Sequence, residues 1–319
     1  MPATGTAHGH VRLRGGLLAR IAYAHEGDPS ASARLYRQAE AFRHLAPAAR
    51  TPRLQAVIEP RPGLPGGALI VDFVDGRAPR LPQELGAMAD TLATIHGLPL
   101  PAAGSAIPRQ ANPFLETLEV IEQNAMRFLD KAVRDSGARA EIAEELRIMR
   151  GMALAFARRP QPLTMALADT HPGNFLVDGA GLAWFVDLEK VHVGSPAIDL
   201  AHATLPTSTL WHPEVGAELS PDDVRRFHDV YLERIGGKAA GMLAPWLMPM
   251  RRLTWLRTTL FMARWRVETR VLRDPANPGQ WSDAGLDPMM RQHIDARIDQ
   301  CFQRETIRRI RSEWLAWPS

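Results

Sequence analysis

A single cysteine, Cys301, stands in the 319-residue chain, so no disulfide between its own side chains can staple the fold. That suits a reducing compartment. Lysine is nearly as scarce: of 38 Lys and Arg side chains, only Lys131, Lys190 and Lys238 are lysine. The arginines are spread among Asp and Glu, and the formal net charge is only +3. No basic block interleaved with aromatics appears, which argues against a nucleic-acid partner. No apolar run reaches the roughly 18 residues that a membrane span needs, so no membrane partner is expected. Met1–His10 holds no apolar stretch of the signal-peptide kind, and the expected location is cytoplasmic. No internal repeat or low-complexity tract is present. Neither an HExxH motif nor paired Cys/His spacing occurs, so His171, His192 and His202 read as loop or core histidines rather than zinc ligands.

What is there is a chain rich enough in apolar residues, at 45%, to fill a large core, and long enough for two lobes sharing a cleft. The first part alternates as strands do. Residues 10–24 read as two strands around the Gly15-Gly16 turn, followed by a helix over 33–45. Residues 54–59 and 68–74 read as two further strands, the second (ALIVDFV) apolar enough to be buried. A helix over 81–97 shows an apolar stripe of Leu85, Met88, Leu92 and Ile95, and Gly97 with Pro99 stops it. Beyond a Pro/Ala/Gly linker at 99–108 the pattern turns helical. Asn112-Pro113 caps one helix, a second runs over 140–158, and Ser220-Pro221-Asp222-Asp223 opens another to Ile235. Longer helices are expected over 243–271 and 288–304, with the tail closing near Trp317. Between these helices, 163–168, 174–177 and 182–187 read as short strands.

The chemically informative stretch is residues 163–203, LTMALADTHPGNFLVDGAGLAWFVDLEKVHVGSPAIDLAHA. One strand delivers Asp169 to a loop. Asn174 opens the next strand, and Asp187 ends the one after it. Phosphoryl transfer asks for magnesium held against the nucleotide phosphates and a carboxylate to orient the attacking hydroxyl. Magnesium accepts a few hard oxygen ligands such as a carboxylate and an amide, with water and phosphate completing its shell. Asn174 and Asp187 can supply those two, which leaves Asp169 as the orienting base. Asp169 and Asn174 alone could equally cap a turn, since both residue types favour loops.

The runs DTHPGNFLV, FVDLE and GSPAIDLAH resemble the Asp-x-x-x-x-Asn loop, the metal-binding Asp and the Pro-x-x-Asp-Leu-Ala segment of aminoglycoside phosphotransferases and choline kinases. Upstream, RQAEAFRHL resembles the family's N-lobe helix with its ion-pair glutamate, ALIVDFVDGR its hinge strand, and MADTLATIHGLP the helix that follows. The likeness spans about residues 17–203. It implies an α+β, bilobal protein-kinase-like fold: a small β-rich N-lobe (1–75) and a larger, mainly helical C-lobe (76–319). It also implies an ATP-dependent small-molecule kinase, using ATP or another NTP with Mg2+, in which Asp169 is the catalytic base and Asn174 and Asp187 bind the metal. Glu40 would pair with the phosphate-contacting cation of the preceding strand. Adenine would hang on the backbone of Asp72 and Val74, and Asp199 would brace the catalytic loop.

The chain departs from that pattern in places. Arg20 stands where the family has lysine, and Leu167 where it has histidine two residues before the base. Few residues precede Arg20, and residues 5–9 are the sole candidates for a glycine-containing phosphate loop. These departures motivate an alternative reading, a catalytically impaired kinase-fold binding or regulatory protein. The late helices carry Trp255, Arg257, Arg264, Trp265 and Arg266. With Lys190 and His192 they are candidates for the acceptor side, though core packing with solvated arginines is the plainer account. Their charge favours a neutral or anionic small-molecule hydroxyl acceptor over a polyamine antibiotic. The oligomeric state is not legible.

Overall fold

Gly15 and Gly16 have φ of +76° and +74°, a region that costs glycine nothing, and they reverse the chain between β1 (His8–Leu13) and β2 (Leu17–Ala22). The computed structural model describes residues 8–24, 28–271, 281, 283 and 286–316. After β2 come α1 (Ala31–Leu45), β3 (Leu54–Ile58) and β4 (Ala68–Asp72). The strands form one antiparallel sheet in the order β1-β2-β4-β3. Arg20 lies opposite His10 on β1 and Leu69 on β4, so these three share a face. Helix α1 buries Leu35, Ala39, Phe42 and Leu45, the stripe its spacing predicts.

The chain then passes through a two-residue strand, β5 (Gly76–Arg77), and enters a larger helical portion. Its first helices are α2 (Leu85–His96), α3 (Pro113–Ala132) and α4 (Ser136–Ala157). The Asn112 side chain accepts from Leu115 N–H and opens α3, while Asp135 accepts from Ala138 N–H and opens α4. Short strands follow: β6 (Thr164–Ala166), β7 (Phe175–Asp178), β8 (Ala183–Phe185) and β9 (His192–Gly194). They build a three-stranded sheet, β5-β7-β8, and a two-stranded one, β6-β9. The remaining helices are α5 (Pro196–Thr204), α6 (Pro206–Thr209), α7 (Pro221–Ile235), α8 (Gly237–Glu268), α9 (Pro288–Cys301) and α10 (Arg304–Ala316). Helix α7 opens on the capping box expected of Ser220 and Asp223.

Helix α8 runs through Pro245 and Pro249, each of which lacks the N–H of an internal helical bond. Packing accounts for its persistence. Trp246, Met250, Leu253, Trp255, Leu256 and Leu260 are all buried, and Trp246 closes an aromatic stack in which Phe156 lies 5.0 Å from both Phe114 and Trp246. Aromatic pairs of this kind add about 0.5–1.5 kcal/mol each beyond the area they bury. This core fixes the position of α8 against α3 and α5. Among the described residues no helix is long and apolar enough to cross a membrane.

Several boundaries differ from expectation. Strand β4 ends at Asp72, which leaves Val74 in the following loop. Asn174 closes a 3-10 turn (Pro172–Asn174) rather than opening a strand. The helix expected over 288–304 ends at Cys301, the tail forms a further helix, α10, and Trp317 lies outside the described residues.

Candidate functional site

The loop between β6 and β7 is held from below by one buried side chain. Asp199 sits on the first turn of α5, and the residue is 0% exposed. Its Oδ2 accepts from Leu167 N–H at 2.7 Å and its Oδ1 from Ala168 N–H at 2.7 Å. His96 Nε2 lies 3.0 Å from Oδ2, and Thr170 Oγ1 donates to the Asp199 carbonyl at 2.7 Å. His96 is oriented in turn by Tyr231, its Nδ1 lying 2.8 Å from the phenol oxygen. Ala168 takes φ +64°, an unfavourable value for a residue with a Cβ, and both its N–H and its carbonyl are tied down, the carbonyl by Arg257 at 3.3 Å. Asp199 thus braces the loop, the role the family resemblance implied. Leu167, the residue in place of histidine, is fully buried and joins the network through its backbone alone.

That bracing projects Asp169 beside Asn174 and Asp187. Asn174 Nδ2 donates to the Asp169 carbonyl at 2.8 Å, which leaves its Oδ1 without a partner among the described residues. Strand β8 ends at Phe185 rather than at Asp187 as expected; the Val186 N–H donates to the Asn174 carbonyl at 3.0 Å and ties the segment that carries Asp187 to the same turn. Asp187 Oδ1 accepts from Arg20 at 2.9 Å, and among the described residues no hydrogen bond reaches Oδ2. The expected Arg20–Glu40 pair does not form here. Arg20 crosses to the other lobe, over the Phe42 ring and onto Asp187 and the Val186 carbonyl. Glu40 is instead taken by the Ser105 hydroxyl and the Ala106 N–H at 3.0 Å, since its helix face looks toward the 102–107 loop.

Charge is concentrated at this spot. Lys190 Nζ lies 2.6 Å from Asp169 Oδ2, and His202 Nδ1 lies 3.9 Å from Oδ1. Burial works to raise the Asp169 carboxyl, but Lys190, His171 and His202 more than offset it and hold it well below the usual carboxylate range. Burial pushes His202 down to about 3, so it stays neutral near neutral pH. Glu189 is raised by burial and by Asp187, and it lies 3.5 Å from His8 on β1, whose imidazole burial and Arg20 lower. Glu189 did not stand out in the sequence, and His8 did so only as part of the 5–9 segment. Only their approach across the cleft reveals them, and the Glu two residues after Asp187 was the one available signal.

The donor set suits a hard divalent cation. Asn174 Oδ1 and Asp187 Oδ2 are free oxygens of the kind magnesium takes, with phosphates and water completing its shell. Among the described residues no three His, Cys, Asp or Glu side chains are grouped to hold a metal by themselves. Of the adenine candidates, Asp72 N–H already donates to the Arg53 carbonyl at 3.0 Å, and its side chain accepts from Gln55 at 2.7 Å. The Val74 backbone bonds no described residue. Asp72, Phe73 and Val74 also line a cavity of about 360 Å³ together with Thr51, Asp178 and Trp184. None of its lining residues belongs to the Asp169–Asp187 group. Most of the candidate phosphate segment, residues 5–7, lies outside the described residues.

Comparison with known proteins bears on the fold and the family. Among solved structures, a choline/ethanolamine kinase family protein from Mesorhizobium loti superposes with a TM-score of 0.59 at 17% identity, covering 98% of this chain and 90% of that one. An ethanolamine kinase from Plasmodium vivax gives 0.55 at 14% identity, over 93% and 77% of the two chains. Aminoglycoside 2'-phosphotransferase-IIIa in its GDP complex gives 0.58 at 13% identity, over 92% and 90%. These likenesses establish a bilobal kinase-like fold. Comparison with curated sequences finds no significant match. Residues 13–237, well over half of the chain, match the phosphotransferase enzyme family, and the chain belongs to that family.

Proposed function

We propose that the chain is a small-molecule kinase that moves the γ-phosphate of ATP or another NTP onto a hydroxyl, with Asp169 as the base and Asn174 and Asp187 as the protein ligands of Mg2+. The observation that carries the reading is the bonding that draws these three residues together: the Asn174 side chain bonded to the Asp169 carbonyl, and Val186, next to Asp187, bonded to the Asn174 carbonyl. The N-lobe, residues 1–75, and the C-lobe, residues 76–319, would close on the nucleotide. Adenine would be read by the Val74 backbone, with Asp72 beside it. Arg20 would turn from Asp187 to the phosphates, where a guanidinium binds bidentately. Glu40, committed to the 102–107 loop, would support α1 rather than Arg20. Bound magnesium would neutralise charge on the β- and γ-phosphates.

The chain's own residues supply the rest. Asp169, kept ionised, accepts a hydrogen bond from the incoming hydroxyl and aims its oxygen at the γ-phosphorus; as the new O–P bond forms, the bond from that phosphorus to the bridging oxygen breaks and the nucleoside diphosphate leaves, while the hydroxyl proton passes to the carboxylate. The Asp199 network keeps that carboxylate in place. A second reading rests on Arg20 and Lys190 each holding one of the two carboxylates: a kinase-fold protein that binds nucleotide without turnover.

Transfer of labelled phosphate from ATP and GTP to a broad panel of hydroxyl compounds separates the two. Turnover that falls roughly 10²–10⁴-fold in Asp169→Asn, with magnesium–nucleotide binding retained, supports the kinase. An Asp169→Asn variant as active as the parent removes Asp169 from the mechanism. A parent that binds nucleotide but phosphorylates nothing leaves the binding reading.

A further inference from the structure

The acceptor side of Asp169 has a charge character of its own, and the inference from it rests on the phosphotransferase reading above. Lys190, 40% exposed along its side chain, reaches Asp169 Oδ2 at 2.6 Å. Arg257 enters from α8 and donates to the Ala168 carbonyl, close enough to influence both Lys190 and His202. The facing carboxylates are already committed: Asp199 is fully buried on the loop N–H groups, and Glu189 lies against His8.

Asp169 Oδ2 is taken by Lys190, while His202 Nδ1 lies 3.9 Å from Oδ1, so a hydroxyl that docks on Oδ1 comes to lie beside the Lys190 ammonium. A cationic acceptor adds a like charge there. A neutral one gains nothing from the ammonium. An acceptor carrying its own anion next to the hydroxyl gains a charge-assisted bond to the remaining Lys190 N–H donors. The ring beside Lys190 is also taken: Lys190 lies over Phe261 at 6.0 Å, and Trp281, 4.5 Å from Phe261, carries Arg264 at 4.2 Å, so both rings already hold a cation.

We propose that the acceptor is a small anionic alcohol, a hydroxy acid or hydroxyalkyl phosphate. Its carboxylate or phosphate engages Lys190, with Arg257 adding to the local positive potential, and its hydroxyl, on the same or a neighbouring carbon, reaches Asp169. Lys190 is then a specificity determinant.

The test is a matched acceptor panel with the full chain, magnesium and ATP or GTP. Glycolate, glycerate and glycerol 3-phosphate are set against glycerol as the neutral compound and serinol and choline as the cationic ones. At least one anionic acceptor is expected to exceed glycerol, serinol and choline in kcat/KM at least tenfold. Lys190→Met should remove that advantage mainly through KM, and Lys190→Glu should shift preference toward the cationic compounds, with melting curves confirming that both variants fold. Transfer that favours glycerol or choline, or an anionic-to-neutral ratio unchanged in Lys190→Met, overturns the charge assignment and leaves the phosphotransferase reading standing. Calorimetric titration of the same compounds onto the magnesium–nucleotide-loaded protein covers a chain that binds without transfer: anionic compounds bind in preference, or the inference fails. Absence of magnesium-dependent nucleotide binding overturns both readings.

Discussion

Replacing Asp199 with asparagine tests the loop bracing directly. The carboxylate accepts Leu167 N–H on one oxygen and Ala168 N–H on the other, each at 2.7 Å, with His96 sharing the first. An amide has one acceptor oxygen. If its NH2 replaces Oδ1, it meets the Ala168 N–H donor to donor. If it replaces Oδ2, Leu167 N–H is stranded, and His96 can accept only by switching tautomer away from its present arrangement with Tyr231. In both orientations one backbone N–H is buried without a partner, which costs about 1–3 kcal/mol, and the bond that survives loses its charge assistance, about another 1 kcal/mol. The expected loss is therefore about 2–4 kcal/mol, or roughly 3–6 °C in Tm for a chain of 319 residues. Urea denaturation with thermal unfolding measures it. A shift below about 0.5 kcal/mol would mean that the loop does not depend on Asp199, and the bracing account would be wrong.

Other perturbations follow the same physics. Glu145 is 0% exposed and meets Arg252 at 2.6 Å and Arg311 at 3.1 Å. Glu145→Ala should cost about 3–5 kcal/mol in equilibrium denaturation by leaving the Arg252 guanidinium without its carboxylate and Arg311 with Glu141 alone, and a near-neutral effect would contradict that. Burial and Arg251 hold His228 down to about 3, whereas in the unfolded chain it takes its proton near its ordinary value of 6.5. Between those values only the unfolded state binds the proton, so stability drains away as pH falls from about 6.5 toward 3, at up to about 1.4 kcal/mol per pH unit from this group. His228→Gln should flatten the acid limb of a stability–pH curve by that slope; an unchanged limb would show that His228 titrates normally when folded.

The local signals carried much of the fold and less of the site. The Gly15-Gly16 turn between alternating apolar positions marks the β1–β2 hairpin because positive φ and strand periodicity are both written in neighbouring residues. The caps at Asn112 and Ser220 were legible for the same reason. Strands β5 and β9 were not, since two or three residues become strands only by pairing with β7 and β6, which lie far away in sequence. The break between α9 and α10 at Phe302-Gln303 has neither Gly nor Pro to announce it. In the site, Asp169, Asn174 and Asp187 could be picked out because one loop and one short hairpin deliver all three. The partner of Arg20 could not, because the choice between Glu40 and Asp187 depends on how far a guanidinium reaches across the cleft. The pairing of Lys190 with Asp169 is likewise set by how the 187–192 segment folds back over the loop.

The most direct check is calorimetric titration of ATP and GTP, with and without Mg2+, onto the parent chain and onto Asp187→Asn. A joint site of Asn174 and Asp187 predicts binding that depends on magnesium in the parent and weakens at least about tenfold, some 1.4 kcal/mol, in the variant. Equal magnesium–nucleotide affinity in the two proteins would contradict it.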